Sequence, residues 1–253
     1  MSTQDTVNYI PGTDGDDTLF GTPGNDIINA GAGDDDVYDN YGSDTISTGF
    51  GEDRILITGA DGSQFDLFNS YDGGSGYDQI VVTNDGPTDI RIDDLRNIEK
   101  IDGTAAESTT ITLASGNTYD FSNVELDGIT LIQVDQGINE GYEEKTRIFG
   151  SQGDDHIKGS AGDDVIKGSG GNDTLEGGTG EDKFSFYSPW GDDVITDFED
   201  GEDMLDLAWS GLKFDDLTIR QEDANTVIYD GNGNSITLED VQATSITQDD
   251  FFF

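Results

Sequence analysis

Asp17, Asp26, Asp35, Asp44 and Asp53 recur every nine residues, and Asp155, Asp164, Asp173 and Asp182 repeat the spacing further along. Each has a glycine two residues before it: Gly15, Gly24, Gly33, Gly42 and Gly51, then Gly153, Gly162, Gly171 and Gly180. Each has an apolar residue two places after it. Asp78 and Asp193 carry the same Gly-x-Asp-x-aliphatic core singly. Carboxylates in so regular an array attract cations. The whole composition agrees, with 55 Asp and Glu against 11 Lys and Arg and a formal charge of -44. That balance excludes nucleic acid as a partner, because phosphate binding needs basic patches.

Other chemistry is not legible. There is no His-Glu-x-x-His, no Gly-x-Ser-x-Gly elbow and no cysteine nucleophile. Paired carboxylates occur throughout, so a pair carries no information about glycoside hydrolysis. His156 is the one histidine and falls at a variable position, where it reads as a surface residue. Asp230 to Asn234 resembles the opening of an EF-hand loop, but Val241 stands where the bidentate Glu should be. A hairpin turn is the better reading. The expectation is a binding protein, not an enzyme.

The elements that must position these carboxylates follow from the repeat. Reading in nines from Gly12 gives GTDGDDTLF, GTPGNDIIN, AGAGDDDVY, DNYGSDTIS and TGFGEDRIL. GGSGYDQIV follows at Gly73. A second array from Gly150 reads GSQGDDHIK, GSAGDDVIK, GSGGNDTLE and GGTGEDKFS. Six Gly-rich residues can turn sharply, since Gly tolerates positive φ. Three residues then form a short strand whose middle side chain points inward. Leu19, Ile28, Val37, Ile46 and Ile55 supply one set of inward residues, and Ile157, Ile166, Leu175, Phe184 and Ile195 another. No such strand folds alone, so stacking must supply the core.

This nonapeptide resembles the calcium-binding repeat of the repeats-in-toxin (RTX) family. The resemblance implies an all-β fold, a right-handed parallel β-roll or β-helix solenoid with calcium in its turns. Two nonamers would make one coil, so turns i and i+2 stack at roughly 4.7 Å. Several calcium ions would lie between them. Their ligands would be the position-six aspartates, from Asp17 to Asp53, Asp78, from Asp155 to Asp182, and Asp193. The position-four glycines named above would shape the turns and supply main-chain oxygens. Ligand pairs would skip one repeat: Asp17 with Asp35, Asp26 with Asp44, Asp155 with Asp173, and Asp164 with Asp182. Stacked carboxylates at that spacing repel by roughly 1 kcal/mol in water and about 3–4 at an effective dielectric near 20. Several such pairs cancel the ~5–15 kcal/mol margin of a domain. The metal-free chain is therefore expected to be mostly unfolded, with calcium binding supplying folding energy. With no cysteines, metal is also the available staple.

Four segments are expected: calcium-binding repeats over 1–78, metal-free β rungs over 79–149 (or, as the alternative, a separate small β-domain there), a second array over 150–195, and a cap with secretion signal over 196–253. Ile57 to Tyr71 reads as an excursion from the first array. Gly201 to Leu207, Phe214 to Leu217 and Asn234 to Leu238 resemble the C-terminal region of serralysin-type secreted proteins. Asp249-Asp250-Phe251-Phe252-Phe253 resembles an uncleaved type I secretion signal, which implies a type I exporter as partner. Met1 to Thr13 has neither a basic stretch nor an apolar run, so no cleavable signal peptide is expected. The implied location is extracellular, outside a bacterium. The repeat modules of secreted alginate epimerases are similar in build, which leaves open an extracellular polysaccharide or cell-surface component as partner. Tyr38, Tyr41, Phe50, Phe65, Phe68, Tyr71 and Tyr77 could stack on sugars or cap the roll. A membrane-active effector is a third reading, disfavoured by the lack of an apolar helical segment.

Overall fold

Three-residue strands bury one side chain each, too little to hold a strand in water, so stability must come from pairing along a stack. The computed structural model describes residues 7–58, 68–135 and 145–253 and has this character. Nearly every regular element is a strand. The exceptions are short 3-10 turns at Phe214–Asp216 and Gln248–Asp250. The chain divides into two compact units.

The first unit takes the described residues of Met1–Ala114 together with Val124–Thr130. One of its faces carries parallel strands Asn8–Pro11, Asp26–Ala32, Thr45–Phe50, Asn69–Ser75, Thr88–Arg96 and Thr109–Leu113, in that order. The other carries Thr18–Phe20, Asp36–Asp39, Arg54–Ile57, Gln79–Val82, Lys100–Asp102 and Glu125–Asp127. Alternate strands in sequence therefore lie on opposite faces, as expected for two nonamers per coil. Ile10, Ile28, Ile46 and Tyr71 stack down one face. Leu19, Val37, Ile55, Ile80 and Ile101 stack down the other. Gln79–Val82 and Lys100–Asp102 thus extend the ladder of the first array, whereas Thr88–Arg96 pairs with Asn69–Ser75 through a register shift at Asn69 and Ser70. Of the excursion, residues 59–67, with Phe65, lie outside the described residues.

The second unit takes Ser115–Asn123 and the described residues of Leu131–Phe253. Tyr119, Ile148, Ile166, Phe184, Leu205 and Phe251 form one ladder. Ile132, Ile157, Leu175, Ile195 and Leu238 form the other. Nearly all are fully buried. The parallel pattern ends in an antiparallel meander. Thr218–Glu222 pairs with Asn225–Tyr229, which pairs with Ser235–Leu238. The turn at Asp230 is a hairpin: its carboxylate accepts from the amides of Asn232 at 2.7 Å and Asn234 at 3.0 Å. Phe251–Phe252 adds a last parallel strand beside Met204–Asp206. The architecture is an all-β parallel solenoid with a C-terminal β cap. Among the described residues no helix is long and apolar enough to cross a membrane.

The aromatic residues divide between uses. Tyr71 is in the core at 2% exposure. Phe68 lies 4.6 Å from the Arg91 guanidinium. Phe20 stacks on Tyr38 across neighbouring strands at 4.6 Å, and Phe50, Tyr41 and Tyr77 are exposed.

Candidate metal centre

Each position-six aspartate sits at the foot of a strand, where the turn delivers the chain into the sheet. Amides and carboxylates of successive turns join in a ladder. Asp35 Oδ1 accepts the Asp17 amide at 2.8 Å, Asp44 Oδ1 that of Asp26 at 2.8 Å, and Asp53 Oδ1 that of Asp35 at 2.7 Å. Asp78 Oδ1 accepts the Asp53 amide at 2.9 Å. In the second unit Asp173, Asp182 and Asp193 accept from Asp155, Asp164 and Asp173 at 2.9, 2.8 and 3.0 Å. Asp164 accepts from Thr146 at 2.8 Å. The four skip-one pairs read from the sequence are thus hydrogen-bonded neighbours.

The second carboxylate oxygen decides what the turns can do. In Asp35, Asp44, Asp53, Asp78, Asp173, Asp182 and Asp193, Oδ2 is buried and has no hydrogen-bond partner. An orphaned buried carboxylate oxygen is expensive in a protein interior. Burial raises the carboxyl pKa at Asp35, Asp44, Asp155 and Asp164. It pushes Asp78 up to about 6, Asp173 and Asp182 to about 7, and Asp193 to about 8. Neighbouring carboxylates add to the shift in these four. An interior cation would remove both costs.

The first two turns of each array differ. Asp17 Oδ2 accepts from the Thr13 amide and hydroxyl, and Asp26 is held likewise by Thr22. Ser151 and Ser160 do the same for Asp155 and Asp164. Glycine geometry follows this division. Gly33, Gly42, Gly51, Gly171 and Gly180 have φ between +109° and +142°. Gly15, Gly24, Gly153 and Gly162 lie outside the left-handed region, so at these four the turn does not draw on glycine's tolerance of positive φ. Each left-handed glycine lies against the turn eighteen residues earlier. A Cβ on Gly51 would collide with the Gly33 carbonyl. In the first two turns a position-two hydroxyl organises the turn instead.

Sequence reading missed several members of the ladder. Asn69 Oδ1 accepts the Asp44 amide at 2.8 Å, and Glu99 Oε2 accepts that of Asp78 at 2.8 Å. Asp203 Oδ1 accepts that of Asp182 at 3.0 Å, and burial raises its pKa to about 6. Asp203 carried a readable signal, with Gly201 two residues before it and Leu205 two after. Glu99 carried a fainter one. Asn97 occupies the glycine position at φ +52°, a conformation Asn tolerates better than most residues. The carboxylate pattern, expected to lapse after Asp78, thus continues one rung further.

The donor set suits a hard divalent cation. Among the described residues no three His, Cys, Asp or Glu side chains converge on one point. An ion in these turns would therefore combine one or two carboxylates with main-chain carbonyls, the oxygen-only mixture that calcium accepts.

The comparison with protein families agrees. The family model described as RTX calcium-binding nonapeptide repeat matches residues 11–38, 38–56 and 149–184, in four copies. Among curated proteins no match is found. Among solved structures, the extracellular lipase LipA from Serratia marcescens is 19% identical with a TM-score of 0.39. The comparison covers 100% of this chain and 40% of that one. The AlgE6R3 subunit of the Azotobacter vinelandii mannuronan C5-epimerase is 25% identical with a TM-score of 0.22. That comparison covers 47% of this chain and 83% of that one. This chain thus spans well under half the length of the lipase. On its repeats, its ladder of carboxylates and the family match, the chain carries calcium-binding nonapeptide repeats of the RTX kind over residues 11–56 and 149–184.

Proposed function

We propose that this is an extracellular protein that leaves a bacterium unfolded through a type I exporter and folds when it meets calcium outside. The observation that carries the reading is the row of buried, orphaned Oδ2 atoms from Asp35 to Asp78 and from Asp173 to Asp193. Without a cation these atoms oppose the fold; with one they become its ligands. Asp17, Asp26, Asp155 and Asp164 serve as ligands on this reading once their Thr or Ser partner yields. The main-chain oxygens of the position-four glycine turns complete the shell. Calcium modules built for the outside bind at about 0.1–1 mM. A chain with that affinity stays open at the far lower calcium of a cytosol and can be threaded.

The end of the chain serves both steps. Asp249 to Phe253 act as the export signal while the chain is open and as a structural strand once it is folded. Phe251 supports this second role: it is 7% exposed and packs edge-on against Phe214 at 5.5 Å. The test is a calcium titration followed by far-UV circular dichroism, with magnesium as control. A cooperative rise in β signal at sub-millimolar to millimolar calcium, absent with magnesium, is expected. A chain fully β-folded without metal overturns calcium-gated folding.

A second reading concerns the folded surface. The Phe20–Tyr38 stack lies on an outward face beside the Arg54–Asp36 ion pair. Flat aromatic surface next to paired hydrogen-bonding groups suits a sugar ring, so an extracellular polysaccharide is the partner this face favours.

A further inference from the structure

The fourth nonamer, residues 39–47, carries a carboxylate at position one, where most units have glycine. Position one points at the carboxylate of its own turn. A Cβ there would lie 2.9 Å from Asp17 Oδ2 at Gly12, 2.8 Å from Asp78 Oδ2 at Gly73, and 2.7 Å from Asp155 Oδ2 at Gly150. Any side chain longer than hydrogen is therefore aimed at Oδ2 of its own turn's aspartate, the atom that Asp78 leaves without a partner. Asp39 is so aimed, and its carboxyl lies against that of Asp44. Both residues are buried, at 3% and 2% exposure.

Two donors hold one oxygen of Asp39. Oδ2 accepts from the Tyr71 hydroxyl at 2.6 Å and from Asn69 Nδ2 at 3.2 Å. Asn69 Nδ2 also reaches the Tyr71 hydroxyl oxygen at 2.9 Å. The other oxygen, Oδ1, has no partner, and neither has Asp44 Oδ2. Two adjacent buried carboxylates thus each keep one oxygen free. The rung above explains why a second charge is present. At the ladder position that Asp or Glu holds in the rungs above Asp35, Asp53, Asp78 and Asp173, this rung has Asn69. The ladder loses one carboxylate here and position one restores it.

We propose that Asp39 and Asp44 form a two-carboxylate site for a hard divalent cation such as calcium, with Asn69 and Tyr71 as positioning residues that fix Asp39. The inference rests on the calcium reading, since Asp44 also belongs to the repeat, and adds a ligand that the repeat pattern lacks. Affinity in oxygen sites rises with ligand charge and rigidity. This ion is therefore the tightest of the first unit and the last to leave on chelation.

Calorimetric calcium titration of the full chain, with chelator competition, tests it. The variants are Asp39→Asn, Asp39→Gly and, as a control in the second array, Asp173→Asn. Asp39→Gly returns the turn to the repeat consensus and guards against misfolding of the Asn variant. Both Asp39 variants should weaken the tightest calcium step by about tenfold and leave the weaker steps in place. Asp173→Asn should leave the step that the Asp39 variants weaken in place and remove a different one. If both Asp39 variants keep the tightest step unchanged, the pair shares a proton rather than a cation and the inference is overturned. If the parent chain binds no calcium at all, the calcium reading itself fails, and this inference with it.

Discussion

Asp35 and Asp36 are adjacent acids with opposite circumstances. Asp35 accepts an amide from the neighbouring rung through one oxygen and keeps the other buried and free. Asp36 lies on the surface in a two-pronged ion pair with Arg54, both contacts at 2.7 Å. An exposed pair of this kind contributes about 0.5 kcal/mol. Asp35→Ala should therefore raise the calcium midpoint for folding severalfold, while Asp36→Ala should leave it within about twofold. Calcium-dependent circular dichroism on the two variants decides; equal shifts would mean that the ligand register is wrong. The sequence made this contrast visible because position six is fixed by the glycine two residues earlier. It hid Asn69 and Glu99 because each replaces the repeat residue with a different side chain that performs the same hydrogen bond. Asp39 was hidden for the reverse reason. Its residue type is everywhere in the chain, and only the direction of position one distinguishes it.

Strands were legible wherever the nonamer was clean, because a three-residue strand with one inward aliphatic has a single workable register. Ladder partners stand eighteen residues apart across the first array, as between Asp26 and Asp44. Across the excursion the separation is 25 residues, as between Asp53 and Asp78, so the insertion adds 25 − 18 = 7 residues without shifting the register. What the repeat could not reveal was the division of residues 79–149 between the two units, since no periodic signal marks it. The C-terminal strand illustrates a different limit. Three terminal phenylalanines read as a signal, yet Phe251 also closes an inward ladder above Leu205 and stacks on Phe253 at 5.5 Å. Phe251→Ala should cost about 3 kcal/mol of calcium-bound stability, the usual range for a buried phenylalanine. Denaturant unfolding at saturating calcium measures it. A loss under about 0.5 kcal/mol would show that the strand is not part of the folded unit.

At the scale of the molecule, the proposed calcium ligands are also carboxyls that take up protons, so on that reading the two compete for the same oxygens. The carboxyls of Asp173, Asp182 and Asp193 titrate near 7, 7 and 8 in the folded chain, against about 4 when unfolded. A folded-state pKa above the unfolded one means that ionisation opposes folding. The penalty is absent below pH ~4, grows as pH rises, and is complete above about 8. The metal-free chain should therefore gain β structure as pH falls from 8 to 5. Over the same interval calcium affinity should drop, because each ion must displace protons. Circular dichroism of metal-free protein at pH 8 and 5, with a calcium titration at each, tests both signs. More β structure at pH 8 than at pH 5 in the absence of metal would contradict the account.

The eighteen-residue register has a mechanical meaning as well. Within the two arrays neighbouring rungs are tied by hydrogen bonds that run along the stack, and each such coil closes on a partner eighteen residues away. Tension applied to an end meets those bonds one coil at a time instead of all together. Each coil that gives way releases about 60 Å of chain, at ~3.4 Å per residue. The array thus comes apart like a ratchet, and on the proposed calcium reading a bound ion would be the pawl at each step.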